Sequence, residues 1–202
     1  MKRIPAVLYL FLLVTCYSCI FVISNKDKKE NTIDTALQKD SSGYYSDTSE
    51  RAALPQPDTI APVYNGKDID TKNVQPEEVV AYAKTLIGVP YKYASTDPNI
   101  GFDCSGFITY VFQHFNIAVP RSSIDFTNVG TPVPIEKAKP GDIILFTGTD
   151  STERFVGHMG IIVSNTDTVK FIHSTSGRAY GVTITPMSNY YKGRYVKTIR
   201  IF

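Results

Sequence analysis

The 202 residues suffice for one folded domain of ordinary size with chain to spare. Lys and Arg total 21 against 19 Asp and Glu, and so small a net charge (+2) argues against a nucleic-acid-binding face. Gly 13 and Pro 12 are ordinary usage, which excludes collagen-like and low-complexity chains, and three cysteines with two in the N-terminal apolar stretch exclude a disulfide framework within one chain.

Met1-Lys2-Arg3 gives a short positive start, and Ala6 to Val14 is unbroken apolar sequence. That run is shorter than the roughly 20 residues of a simple membrane span, so residues 1–23 are expected to be an export signal. Cys16 and Cys19 each follow small or apolar residues in the manner of a bacterial lipoprotein signal, which makes both lipidation candidates. The alternative is an uncleaved anchor, because Ile20-Phe21-Val22-Ile23 prolongs the apolar run. Either way the remainder is expected outside the cytoplasm, held at the membrane and facing the cell envelope.

Residues 24–72 are rich in Lys, Asp, Ser, Thr and Asn, and their few apolar residues follow neither helical nor strand period. A flexible tether is expected there, reaching about 40 Å r.m.s.. Residues 73–202 are expected to be the working domain. Pro76-Glu77-Glu78 starts a helix with Val79, Val80, Ala83, Leu86 and Ile87 on its apolar face, ended by Gly88 and Pro90. Asp103 is an N-cap, and Cys104 opens a second helix burying Phe107, Ile108, Val111, Phe112 and Phe115. After Lys139-Pro140-Gly141-Asp142 the pattern turns to strands: Ile143–Phe146, His158–Val163, Val169–Ser174, Val182–Thr185 and Tyr195–Ile201. Helices first and strands second indicate an α+β domain with a central antiparallel β-sheet.

Cys104 is the candidate nucleophile, since the first turn of a helix stabilises a thiolate through unpaired N–H groups and the dipole. Of the three histidines, His114 lies ten residues along the same helix, about 15 Å away and on another face, and cannot serve it. His158 and His173 can. If the strands carrying them turn at Thr166-Asp167, paired residue numbers sum to 333, and the two imidazoles are diagonal neighbours on one face. Gly160 then falls opposite His173 and is expected to leave room for the end of the Cys104 helix. An odd-length loop spoils this parity. His158 as general base, oriented by His173, completes a nucleophilic triad. A Cys/His/His zinc site is the competing reading, but no Cys-x-x-Cys, His-Glu-x-x-His or carboxylate cluster supports it, and no phosphate-binding loop or Gly-x-Ser-x-Gly elbow is present. No cofactor or metal is expected.

Phe102-Asp103-Cys104-Ser105-Gly106-Phe107, Val119-Pro120-Arg121-Ser122, Lys139-Pro140-Gly141-Asp142-Ile143, Gly157-His158-Met159-Gly160-Ile161 and Phe171-Ile172-His173-Ser174 occur in one order with sensible gaps. Together they resemble the NlpC-type (NlpC and p60) cysteine peptidases of bacterial cell walls, over about residues 76–202. The resemblance implies a papain-like fold, with the cysteine helix packed on a sheet carrying both histidines. It implies hydrolysis of peptidoglycan stem peptides at the bond from γ-D-glutamyl to the diamino acid. It makes Cys104 the nucleophile, His158 the base and His173 the third member. Tyr91 matches a tyrosine whose hydroxyl lies near the oxyanion, Asp103 and Ser105 match positions that bind the free amino end of a stem peptide, and Arg121 is expected to brace the loop beside the cleft. Two departures, Ala94-Ser95 in place of Gly-Gly and Phe126 in place of glutamine, are expected to line the substrate groove.

The expected partners are a stem-peptide substrate and the membrane, without nucleic acid, and the chain is expected to act as a monomer. The rivals are a catalytically silent wall-binding lipoprotein, an amidase or acyl transferase on the same triad, and a one-thiol redox protein, which lacks a resolving cysteine in the domain.

Overall fold

The computed structural model describes residues 62–66, 68–150 and 152–202. The expected export signal, with Cys16 and Cys19, and most of the expected tether lie outside the described residues. The tether's final part does not: Tyr64 and Ile69 pack against the core, so folded structure begins ahead of residue 73.

Helix α1 spans Pro76–Thr85, with proline in its first turn and a reciprocal Gln75–Glu78 capping box. It buries Val79, Val80 and Ala83, and Leu86 just beyond it is also buried, whereas Ile87 is half exposed. Two short strands follow, β1 (Thr96–Asp97) and β2 (Gly101–Phe102), paired antiparallel. Helix α2 runs Cys104–His114, capped by Asp103, whose carboxylate accepts the Gly106 N–H. Its apolar face is continuous, and Phe107, Ile108, Val111 and Phe112 are fully buried.

A six-stranded antiparallel sheet follows: β3 (Thr131–Val133), β4 (Ile143–Thr147), β5 (Val156–Asn165), β6 (Val169–Thr175), β7 (Gly181–Pro186) and β8 (Tyr195–Arg200). Its strand order is β3-β8-β4-β5-β6-β7. A six-residue helix, α3 (Asn189–Arg194), links β7 to β8. The helices and one face of the sheet enclose the main core. Ile144, Phe146, Ile162, Val169 and Phe171 form a second cluster on the other face. Asp142, at the turn into β4, accepts two hydrogen bonds from Arg200 of β8 (2.8 and 2.7 Å) and one from the Lys139 N–H (2.7 Å), tying that turn to the sheet. The whole is the α+β, papain-like architecture expected.

The β5–β6 hairpin departs from expectation in two places that cancel. Asn165 pairs with Val169, so the loop holds three residues, Thr166 to Thr168, rather than turning at Thr166-Asp167. A bulge at Val163 then adds one residue to β5, and from Ile162↔Phe171 and Ile161↔Ile172 onward the paired numbers sum to 333. The expected register thus holds at the histidines for a reason the turn alone does not contain. Gly160 also has a different role from the one expected. A Cβ there would stand 2.8 Å from the Ile172 carbonyl and 3.2 Å from the His173 Cβ, so the missing side chain makes room for β6 rather than for α2.

Candidate active site

Asp103 caps α2 and sets Cys104 at its first residue, with the sulfur over the start of the helix. The amide N–H groups of Cys104, Ser105 and, across on β5, Met159 favour a thiolate there, against burial, which pushes the thiol up to about 11. Sγ stands 4.0 Å from the Gly157 carbonyl. The sulfur therefore lies against the backbone on both sides of His158.

His158 is half-buried on β5, and His173 is fully buried on β6. Nε2 of His158 is 2.8 Å from Nδ1 of His173, and Nε2 of His173 is 2.9 Å from the Thr185 hydroxyl on β7. Burial is the main reason both imidazoles lose basicity. His173 falls to about 4, helped by the charge of Arg194, and His158 falls well below its ordinary value, helped by His173 and Arg194. Tyr191, from α3, stacks on His158 and meets His173 edge-on.

This row engages Nε2 of His158 and leaves Nδ1 as its other ring nitrogen. For His158 to take a proton on Nδ1, its Nε2–H must donate to His173 Nδ1, and His173 must carry its own hydrogen on Nε2 and donate it to Thr185. A hydroxyl that accepts at the far end leaves Nδ1 of His158 as the free base. The arrangement can deprotonate a thiol, hold the resulting imidazolium and return the proton to a departing group.

Tyr91 sits beside this centre. Its backbone bridges Phe102, two residues before the cysteine, and burial with the charges of Cys104 and Asp103 raises its hydroxyl. Its ring leans on Tyr180, 5.9 Å away, whose carbonyl accepts the Tyr91 N–H. Asp103, Ser105 and Arg121 form a separate cluster at the start of α2. Arg121 donates to both Asp103 oxygens (3.2 and 2.8 Å) and to the Ser105 hydroxyl (2.9 Å), and Ser105 donates to Asp103 (3.3 Å). Asp103 and Arg121 thus already neutralise one another, and an incoming ammonium group would have to share Asp103. His114 lies apart, its ring stacked on Tyr82 at 3.6 Å.

Of the two departures, Ser95 does border the site: its carbonyl accepts the Asp103 N–H and passes over Gly106, where a Cβ would lie 2.0 Å from it. Phe126 does not line the groove. It is fully buried in the main core, where an amide side chain would lack partners. Thr185, Tyr191 and Arg194 escape a reading of the sequence. Thr185 could have been reached from strand alternation, being two residues from Thr183, the partner of His173, but only with the β6–β7 register in hand. Tyr191 and Arg194 stand on a helix too short to show periodicity.

A model of the NlpC/P60 family matches residues 88–200, more than half of the chain. The chain belongs to the NlpC/P60 family. It is 34% identical over 142 residues to a gamma-DL-glutamyl hydrolase of Bacillus subtilis, covering 70% of this chain and 34% of that protein. It is 31% identical to the murein DD-endopeptidase MepH of Escherichia coli, covering 66% of this chain and 49% of that one. The chain spans about a quarter to a half of the length of such relatives. An NlpC/P60 family protein from Bacillus cereus superposes with a TM-score of 0.57 at 29% identity, over 65% of this chain and 42% of that one. The NlpC/p60 domain of the peptidoglycan hydrolase SagA does so with 0.51 at 26% identity, over 63% of this chain and 99% of that domain.

Proposed function

We propose that this NlpC/P60 chain is a cell-wall cysteine endopeptidase that hydrolyses peptidoglycan stem peptides at the γ-D-glutamyl–diamino acid bond, with Cys104, His158 and His173 as its triad. The observation that carries the reading is a helix-opening thiol lying against the backbone beside His158, whose ring begins the His158–His173–Thr185 row. The name of one relative, a gamma-DL-glutamyl hydrolase, favours a γ-glutamyl bond, and that of another, a murein DD-endopeptidase, favours the cell wall as the place of action. Export and attachment to the membrane through residues 1–23, by lipid on Cys16 or Cys19 or by an uncleaved anchor, with residues 24 onward as a spacer, suit a substrate outside the cytoplasm.

The reaction runs in two halves. The Cys104 proton passes to Nδ1 of His158 as sulfur attacks the scissile carbonyl, and His158 gives that proton to the nitrogen as the C–N bond breaks. Water, deprotonated by His158, then attacks the thioester, and the thiol regains the proton as the acid leaves. The developing oxyanion is met by the Cys104 N–H and the Tyr91 hydroxyl, and one such donor is typically worth about 3 kcal/mol of barrier. Asp103 and Ser105, braced by Arg121, take the free amino end of the stem peptide.

The test is to incubate the full chain with an L-Ala-γ-D-Glu-diamino acid peptide and weigh the products by mass spectrometry beside a Cys104→Ala control. A cysteine-dependent split after D-Glu is expected. No cleavage of any stem peptide by folded protein would return the reading to a wall-binding module, and a fragment cut at the sugar–peptide junction would make the enzyme an amidase.

A further inference from the structure

In the proposed reaction His158 must keep Nδ1 toward the thiol through successive proton transfers. The hydrogen bond from its Nε2 to His173 fixes one atom of the ring and leaves the plane free to tilt about that contact. Packing has to fix the plane, and two rings lie against it. Phe146, the pairing partner of His158 on β4, stands with centroids 6.1 Å apart and planes inclined by 32°. Tyr191 reaches His158 from α3, at 6.4 Å and 27°. Both run nearly parallel to the imidazole and oppose its tilting. Tyr191 also stands almost at right angles to His173 (5.7 Å, 89°) and to Phe171 (4.9 Å, 81°), so one phenol ring lies against both histidines. Phe146 and Phe171 are fully buried and Tyr191 is not, which makes Tyr191 the ring that separates the pair from water.

The helix that carries Tyr191 has little stability of its own. α3 has six residues, Gly193 among them, and its N-cap Ser188 makes no side-chain cap bond. So short a helix does not persist alone. Its place is set by bonds to its surroundings. Arg194 donates through Nη2 to the Thr147 carbonyl at the end of β4 (2.7 Å), and Arg154 donates to the Gly193 and Tyr195 carbonyls at the C-terminal end of α3 (3.3 Å each). The Tyr191 side chain interacts with that of Thr175 on β6. The helix is thus fastened to β4 and to β6, the strands on either side of β5, with Tyr191 against the histidine of β5.

We propose that Tyr191 is a positioning residue of the histidine pair, its ring setting the plane of His158 and keeping water from the His158–His173 hydrogen bond. A water admitted there would compete for Nδ1 of His173 and release the imidazole that must act as base. The effect on rate rests on the endopeptidase reading. The guarded hydrogen bond is a property of the resting protein and is measured apart from turnover.

The experiment compares Tyr191→Phe, which keeps the ring, with Tyr191→Leu, which keeps apolar bulk without a flat face, and with Tyr191→Met in its place should the leucine variant not fold. The full chain is assayed on the L-Ala-γ-D-Glu-diamino acid peptide, and proton NMR spectra are recorded for each variant in the Cys104→Ala form. The hydrogen between the two imidazoles, shielded from exchange, should give a resolved downfield resonance when Tyr191 is present. Tyr191→Leu should lower kcat about tenfold, the upper worth of one aromatic contact, with KM unchanged, and should erase that resonance. Tyr191→Phe should keep the resonance and at least half of the rate. A leucine variant with full kcat, or with an intact resonance, overturns the proposal and makes Tyr191 a packing residue. So does a phenylalanine variant as impaired as the leucine one, or the lack of the resonance before any substitution. If no form cleaves any stem peptide, the endopeptidase reading falls and the spectra alone decide. A resonance lost with leucine and kept with phenylalanine then supports the positioning role, and any other pattern overturns it.

Discussion

His173 on β6 places its Nε2 2.9 Å from the hydroxyl of Thr185 on the neighbouring strand β7. That contact ends a row of hydrogen bonds which begins at His158, and with the hydroxyl accepting it matches the tautomer in which Nδ1 of His158 is free.

Thr185→Val keeps the shape of the side chain and removes the acceptor. It should lower kcat about tenfold, roughly the worth of one hydrogen bond, with KM unchanged. Thr185→Ser should restore the rate. A fully active valine variant would show that the row works without its last member. Against this graded loss, Cys104→Ala and His158→Ala should abolish turnover in folded protein, and His173→Ala should leave weak activity.

Stability should fall on acidification before most carboxylates are protonated. His173 is held near 4 and His158 well below its ordinary value, while in the unfolded chain both titrate near 6.5. Between those limits the unfolded state binds up to two more protons than the folded one. Stability therefore rises with pH across the window, with a slope approaching about 2.7 kcal/mol per pH unit. His114, also lowered by burial, acts in the same direction. Denaturant midpoints measured from pH 7 to 4.5 should show this, and His173→Asn should flatten the curve. An unchanged slope in that variant would place the proton uptake elsewhere.

Ala94 has φ +57°, in the left-handed region, on an exposed loop ahead of Asp103. A side chain there costs roughly 1 kcal/mol or more, partly offset by the greater chain entropy of glycine. Ala94→Gly should thus stabilise by about 0.5 kcal/mol, a rise of about 1–2 °C in Tm. A lower Tm would mean that the loop relies on alanine for more than its backbone.

Gly106 allows the Ser95 carbonyl to cross the first turn of α2. The Cβ of Gly106→Ala would lie 2.0 Å from that oxygen and 2.8 Å from the Asp103 carboxylate that caps the helix. Overpacking of this kind costs about 1–3 kcal/mol and would displace Cys104 with its helix turn. Both denaturant stability and kcat should fall. Gly193→Ala, with open space around its added methyl, is the control and should change neither.

Much of this arrangement is written along the chain. The N-cap at Asp103, the apolar period of α2 and the alternation of the strands depend on near neighbours, so the ends of α2 and of five sheet strands fall within two residues of expectation. The candidacy of Cys104, His158 and His173 likewise rests on residue type and order, a thiol with two imidazoles on one hairpin. The hairpin also shows where local reasoning stops. Its register at the histidines depends on a three-residue loop and a compensating bulge at Val163, and a bulge answers to packing on both faces of the sheet rather than to the turn. Phe126 is core and not groove because distant elements close around it. Thr185, Tyr191 and Arg194 come near the histidines only when β7 pairs with β6 and α3 packs against the sheet. Local pattern determined the elements and the chemistry they carry. Long-range packing decided which hydroxyl, ring and charge surround them, since those contacts join residues that nothing in their own neighbourhood marks.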